Sequence, residues 1–127
     1  MRFVRKHPWL TGDRCARLRS STMDTPRVAF EALTWQPMAP GARNKVIERD
    51  AKRLRLVELT PVFVDPVWCL KGHIGYVVEG VLEIEFEART ERVRAGDGLL
   101  IRAGAERHRA KAVSPVTRLV LVEDVSA

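Results

Sequence analysis

The length and composition of the chain indicate a single globular domain. Its 127 residues are 46% hydrophobic and 30% charged, which allows a packed core and argues against a disordered chain. Apolar runs such as 98–101 and 119–122 are far shorter than the roughly 18 to 20 residues that a membrane-spanning helix needs. We therefore expect no membrane partner.

The positive charge of the chain is concentrated near its N-terminus. The formal net charge is +6. Residues 1–22 carry a net charge of +5, which leaves +1 for residues 23–127. The charged residues of 1–22 are one acid, Asp13, and six bases: Arg2, Arg5, Lys6, Arg14, Arg17 and Arg19. Because nucleic-acid binding depends on clustered cations, we expect the body of the chain to bind no nucleic acid.

Residues 1–22 form a basic leader without the apolar stretch and small-residue cleavage site of a secretory signal. Three interpretations stay open: a disordered basic tail, an Arg-rich transit peptide, or an upstream extension of a chain that really starts at Met23. The two cysteines, Cys15 and Cys69, are too few for a disulfide scaffold. We expect a reducing, cytoplasmic location.

The remaining chain divides into an N-terminal arm and a predicted β-domain. Residues 23–44 include Pro37, Pro40 and Gly41, which predict a loop leading into the domain. From residue 45 to 127, short β-forming runs alternate with turn residues. Eight strands are predicted, at 45–49, 54–59, 74–78, 81–87, 91–94, 98–101, 107–113 and 118–123.

The clearest strand is 81–87, in which apolar and acidic residues alternate. Leu82, Ile84 and Phe86 fall on one face, and glutamates fall on the other, as in a half-buried antiparallel strand. Glu79 and Gly80 before it predict a hairpin turn. So many short strands protect their edges by closing into a barrel or jelly roll, and the predicted fold class is all-β.

Two glycine-containing runs resemble the two sequence motifs of the cupin superfamily. They are GHIGYVVEG at 72–80 and AGDGLLIRAG at 95–104. The resemblance covers roughly residues 45–122 and implies a small single-domain cupin, with a double-stranded β-helix or jelly-roll barrel. In that frame Gly80 and Gly96 would form tight turns at positive φ.

The family commonly binds a metal through a His-x-His pair, a glutamate and a further histidine, and this chain departs from that set. By the resemblance, His73 stands at the glutamate position. The His-x-His positions fall on Val67 and Cys69 if the spacer is three residues. They fall on Pro66 and Trp68 if it is four.

The second motif departs from the family as well, because its histidine position is Arg107 and His108 comes one residue later. A shift of one residue normally moves a side chain to the other face of its strand. Long charged side chains should face outward, however. Here they alternate with His108 and two alanines; the charged residues are Arg107, Arg109 and Lys111. We therefore expect His108 to point inward, with a bulge if needed.

Cys69, His73 and His108 form a candidate metal site inside the barrel. One thiolate and two imidazoles suit Zn²⁺ or another divalent transition metal such as Fe, Mn or Ni, and three protein ligands leave a position open for water or substrate. The alternative is a site that has lost its metal and keeps a buried cysteine and hydrogen-bonded histidines. With Trp68 and Tyr76, the same three residues are also candidates for a ligand pocket.

The resemblance leaves three functions open. The first is a small-molecule-binding protein with its pocket inside the barrel. The second is a metal-dependent enzyme of the dioxygenase, isomerase or decarboxylase type, using Cys69, His73 and His108. The third is a ligand-sensing regulatory domain. Fold alone does not choose among them. A homodimer formed through exposed strand edges is a further expectation from the resemblance.

Overall fold

The computed structural model describes residues 25–125. The predicted basic leader at 1–22, with Cys15, lies outside these residues. The helical structure described is one 3-10 turn at Phe30–Ala32. No helix within 25–125 is long and apolar enough to cross a membrane.

Nine β-strands make up the described chain, and neighbouring strands pair antiparallel. The predicted all-β fold class is confirmed. The strands are β1 Gln36–Ala39, β2 Ala42–Arg49, β3 Lys52–Leu59, β4 His73–Glu79, β5 Val81–Phe86, β6 Thr90–Arg94, β7 Gly98–Ile101, β8 His108–Ala112 and β9 Thr117–Asp124. A six-stranded sheet has the order β1-β2-β3-β9-β4-β7, and a three-stranded sheet has the order β6-β5-β8.

All eight predicted strands are present, and β7 has the predicted bounds. Two differences occur near the N-terminus, where β2 begins three residues earlier than predicted and β1 lies within the predicted arm. Pro37 had indicated a loop there. β1 is the edge strand of its sheet, however, and an edge position tolerates proline because no further strand needs its missing N–H.

The core lies between the two sheets and follows the alternation of each strand. The predicted inward face of β5 is confirmed, since Leu82, Ile84 and Phe86 are all buried. The larger sheet contributes the apolar residues that face them, namely Val57, Leu59, Val77, Leu99, Leu119 and Leu121. Burial of this apolar surface, at about 25 cal/mol per Å², is the main favourable term in the stability of such a domain.

The tight turns expected at Gly80 and Gly96 are present. Their φ angles are +84° and +96°, in the region that favours glycine. At Gly80 a side chain would also collide with the backbone carbonyl of Val116. The β4–β5 turn therefore needs glycine for two independent reasons.

Candidate metal centre and ligand cavity

The backbone places Cys69 directly opposite His108. Cys69 lies between β3 and β4 and forms an isolated antiparallel bridge with His108, the first residue of β8. The Cys69 amide donates to the His108 carbonyl at 2.7 Å, and the His108 amide donates to the Cys69 carbonyl at 3.0 Å. Directly opposite residues on antiparallel chains present their side chains on the same face.

His73 begins β4 and faces inward with Gly75 and Val77. It pairs with Ile101 of β7. A Cβ atom at the preceding Gly72 would lie 2.9 Å from the backbone oxygen of Ile101 and from the backbone nitrogen of Ala103. Glycine at position 72 therefore lets the start of β4 approach the end of β7 and brings His73 to the interior.

The three predicted donors come together in space. The Sγ atom of Cys69 lies 4.0 Å from Nε2 of His73, and the ring centroids of His73 and His108 are 5.2 Å apart at an angle of 80°. One ligand atom from each residue lies within 4.8 Å of the others. Donors around tetrahedral zinc are about 3.5 Å apart, so small side-chain rotations would complete such a site.

The chemistry of the donors fits a metal. Burial lowers the pKa of His73 below its ordinary value of 6.5, and the nearby His108 lowers it further, while Glu123 opposes these effects. The ring is therefore neutral at pH 7, the form that binds metals. Nε2 of His108 is buried without a hydrogen-bond partner, which is rare for a buried polar atom and would be remedied by a metal ion.

The sulfur of Cys69 also has a polar contact. The backbone N–H of Lys71 donates to Sγ at 3.4 Å. This sulfur would bind a metal in its thiolate form.

Glu123 and Arg55 support the site from behind, and neither was predicted from the sequence. Oε2 of Glu123 lies 3.4 Å from Nδ1 of His73, a contact too poorly aligned to count as a hydrogen bond. Nη2 of Arg55 donates to the same oxygen at 2.7 Å. Carboxylates in this place orient metal-binding imidazoles. Extending the alternation of Leu119 and Leu121 along β9 would have indicated an inward Glu123.

The donors line a cavity of about 600 Å³ between the sheets, within the usual range for small-molecule sites. Its walls are largely apolar and include Leu82, Leu99 and Leu121. The charged lining residues are of both signs: Arg53, Arg55, Lys71, Asp65 and Glu123. Trp68 also lines this cavity. The guanidinium of Arg109 lies 4.4 Å from the centroid of the Trp68 ring, in the range of a cation–π contact.

Tyr76 does not join the other predicted pocket residues, and its assignment to the pocket is corrected. On β4 the inward positions are 73, 75 and 77, whereas Tyr76 occupies the opposite face and is 52% exposed. Side chains alternate between the two faces of a strand. Closeness to His73 in the sequence was therefore misleading.

The three-residue spacing of the first motif agrees better with the backbone, because Cys69 pairs directly with the inward His108. Lining alone does not separate the two spacings, since Val67, Trp68 and Cys69 all line the cavity. His108 is buried, whereas Arg107 points away and pairs with Glu87. The predicted inward orientation of His108 therefore holds despite its shift by one residue.

No protein-family model and no curated protein matches the sequence significantly. Several solved structures resemble the chain. KdgF from Halomonas sp. is 22% identical, with a TM-score of 0.65 over 76% of this chain and 92% of that one. The polyketide cyclase RemF from Streptomyces resistomycificus is 23% identical, with a TM-score of 0.66 over 80% of each chain.

An RmlC-like cupin from Shewanella frigidimarina NCIMB 400 is 13% identical, with a TM-score of 0.65 over 80% of this chain and 92% of that one. At such low identities the likeness concerns the fold. A shared fold does not transfer a reaction or a substrate.

Proposed function

Since the chain has the cupin fold, as its two motifs predicted, we propose that it binds a divalent transition metal and a small molecule inside its barrel. Cys69, His73 and His108 would hold the metal. The supporting observation is that their three donor atoms lie within 4.8 Å of one another on the wall of a 600 Å³ cavity.

The donor set favours a borderline metal with an open coordination position. One thiolate and two imidazoles suit Zn²⁺ or Fe²⁺ better than Mg²⁺ or Ca²⁺. Val67 lies where the family has a fourth ligand and offers no donor atom. A bound metal would supply a Lewis acid that polarises a ligand oxygen or lowers the pKa of water.

The surrounding residues would select and orient the ligand. Leu82, Leu99 and Leu121 give the cavity an apolar wall. Arg55 is paired with Glu123, whereas Lys71 on the cavity rim has no ion pair within the described part of the chain. An apolar ligand with a carboxylate or phosphate end fits this arrangement, because Lys71 would attract the anion.

The open metal position also favours the second candidate, a metal-dependent enzyme. RemF is named as a polyketide cyclase, and a structural relative from Silicibacter pomeroyi, with 13% identity and a TM-score of 0.64, as a sugar phosphate isomerase. Binding and catalysis would use the same residues here. The ligand-sensing alternative and the cytoplasmic location stay predictions.

Metal analysis of the purified chain tests the proposal. We expect about one transition metal per chain in the wild type, because three ligands of this type make a complete protein-side set. His73→Ala and His108→Ala should each lose it. His7→Ala is the matched control, since His7 is the remaining histidine of the chain, and should keep it.

Cobalt(II) substitution adds a test specific to the sulfur. A thiolate bound to cobalt gives a ligand-to-metal charge-transfer band, which we expect in the wild type and not in Cys69→Ser. Equal metal content in the wild type and both inward histidine variants would contradict the proposal. So would a wild type that stays metal-free after incubation with Zn²⁺ and Co²⁺.

A further inference from the structure

A second cavity, of about 660 Å³, lies at the end of the larger sheet where β4 begins and where β7 and β9 end. We call it the rim cavity. It has five lining residues in common with the 600 Å³ cavity; they are Arg53, Lys71, His73, Ile101 and Glu123. The rim cavity therefore adjoins the candidate metal centre on the side of His73.

The backbone brings two cations together at the rim cavity. Just beyond the paired strands β4 and β7, the amide of Gly104 donates to the carbonyl of Leu70 at 2.8 Å, so the two chain segments stay side by side. In the register of β4 and β7, Arg102 lies opposite Gly72, the residue after Lys71. Lys71 and Arg102 both line the rim cavity, and Lys71 also lines the 600 Å³ cavity.

The surroundings of the two cations are open and apolar. Gly72 contributes no side chain between Lys71 and Arg102. Apolar side chains line the rim cavity beside them; they are Ile74, Leu100, Ile101 and Val122. Because apolar neighbours reduce the local dielectric, an anion at this place is attracted more strongly than on a fully hydrated surface.

Neither cation has a partner in the protein. Within residues 25–125, Lys71 and Arg102 make no ion pair, and their side chains make no hydrogen bond. Both residues are exposed, so their long side chains can reach a ligand without the loss of an existing contact.

The acids of the rim cavity, by contrast, are already occupied. Glu123 is bound by Arg55 at 2.7 Å and lies 3.8 Å from Arg53. Asp124 is bound by Lys52. The cavity therefore has an excess of positive charge that its own acids do not neutralise.

We propose that Lys71 and Arg102 form an oxyanion-binding site, which binds the carboxylate or phosphate group of a small acidic ligand. The guanidinium of Arg102 offers paired N–H donors to two oxygens of such a group, and the ammonium of Lys71 adds a point charge. This extends the proposed function, and it rests on that function only in placing the rest of the same ligand towards His73 and the metal. The ligand class is then a small acid rather than a neutral or cationic molecule.

A nuclear magnetic resonance titration of the full chain with sodium phosphate, and separately with sodium acetate, is the first test. At constant ionic strength we expect saturable shifts of the amides at 71–73 and 101–103 in the millimolar range. Binding of either ion supports the site, and the tighter one identifies the acidic group. The proposal is overturned if neither ion shifts these amides at tens of millimolar, or if only residues 1–22 respond, since their six bases offer another place for an anion.

Lys71→Gln and Arg102→Gln test the assignment of the two cations. Each should weaken binding of the preferred ion by about three- to tenfold. Arg94→Gln is the matched control, because Arg94 is also exposed and without an ion pair in the described chain but lines neither cavity. Equal weakening in the control, or unchanged binding in both cavity variants, contradicts the assignment. The amide spectra also report whether each variant is folded.

Repeating the titration after treatment with a chelator separates this site from the metal site. Anion binding that survives chelation and still depends on Lys71 and Arg102 supports the oxyanion site, whatever the metal analysis gives. An anion that binds only before chelation, and equally in both variants, binds the metal itself. That outcome rejects the oxyanion site and leaves the proposed function standing.

Discussion

At the candidate metal centre, Glu123 contacts His73 on the ring atom that faces away from Cys69. Such carboxylates fix the orientation of a metal-binding imidazole, and their loss typically lowers metal affinity by about 10- to 100-fold. We expect Glu123→Gln to weaken Zn²⁺ binding by about this factor, because the amide keeps the size but loses the charge. Competition with a chromophoric chelator measures the change.

Asp124→Asn is the matched control for this prediction. Asp124 is the next residue on β9, points to the opposite face and pairs with Lys52. Its substitution removes one carboxylate charge at a similar place in the chain without touching His73. Equal loss of affinity in both variants would show a general electrostatic effect and contradict the assigned role of Glu123.

Not every residue of the site could be predicted from the sequence. The inward orientation of His108 can be predicted from the sequence, because arginines and a lysine alternate with it and side chains alternate between the faces of a strand. The prediction for Tyr76 is wrong, because nearness to His73 in the sequence does not give the face of the strand that a residue occupies. Arg55 was missed because its pairing with Glu123 joins residues 68 positions apart, which no local pattern shows.

The β4–β5 turn provides a stability test at the level of a structural element. Gly80 and Gly96 both have positive φ, but a Cβ atom would collide with Val116 at Gly80 and meets nothing within 4 Å at Gly96. We expect Gly96→Ala to lower the free energy of unfolding by about 1 kcal/mol, from backbone strain alone. Gly80→Ala should lower it by clearly more. Urea unfolding measures both, and equal costs would contradict the proposed steric contact.

Glu58 links three strands, because it binds Arg43 on β2 and Arg118 on β9 from its own position on β3. The hydrogen bond from Arg43 lowers the pKa of Glu58 below its ordinary value of 4.5, burial opposes this, and Arg118 lowers it further. A lowered folded-state pKa means that the stabilisation is complete above about pH 4.5 and is lost as the pH falls through the folded value.

We therefore expect Glu58→Gln to reduce the free energy of unfolding at pH 7 by about 1–3 kcal/mol and to flatten its decline below pH 4.5. Urea unfolding between pH 7 and pH 3 measures this. Glu85→Gln, which breaks the exposed pair with Arg109, should cost less than about 1 kcal/mol. An unchanged acid slope in Glu58→Gln would contradict the role of this carboxylate.

Strands were predictable where alternation was strong and turn residues enclosed it. In β5 the residues Leu82, Ile84 and Phe86 specified both the strand and its buried face. β1 was missed because Pro37 argues against a strand unless the position is known to be an edge. Whether a strand lies at the edge or in the centre of a sheet depends on the order of all its strands. Here β9 lies between β3 and β4, and local sequence patterns do not encode such an order.

At the scale of the molecule, the two faces of the six-stranded sheet differ. Its inner face supplies His73, Glu123 and Arg55 to the cavity, whereas Ile74, Tyr76 and Leu100 are exposed on its outer face. Strand alternation connects the two faces, since neighbouring residues such as His73 and Ile74 point to opposite sides.

Cys69, His73 and His108 are proposed to bind one metal ion together. A crystal structure of the zinc-loaded protein, with anomalous data collected on both sides of the zinc absorption edge, tests it directly. We expect one strong anomalous peak about 2.3 Å from Sγ of Cys69 and about 2.0–2.1 Å from a ring nitrogen of each histidine. A cavity without such a peak, or zinc bound only elsewhere, would contradict the account.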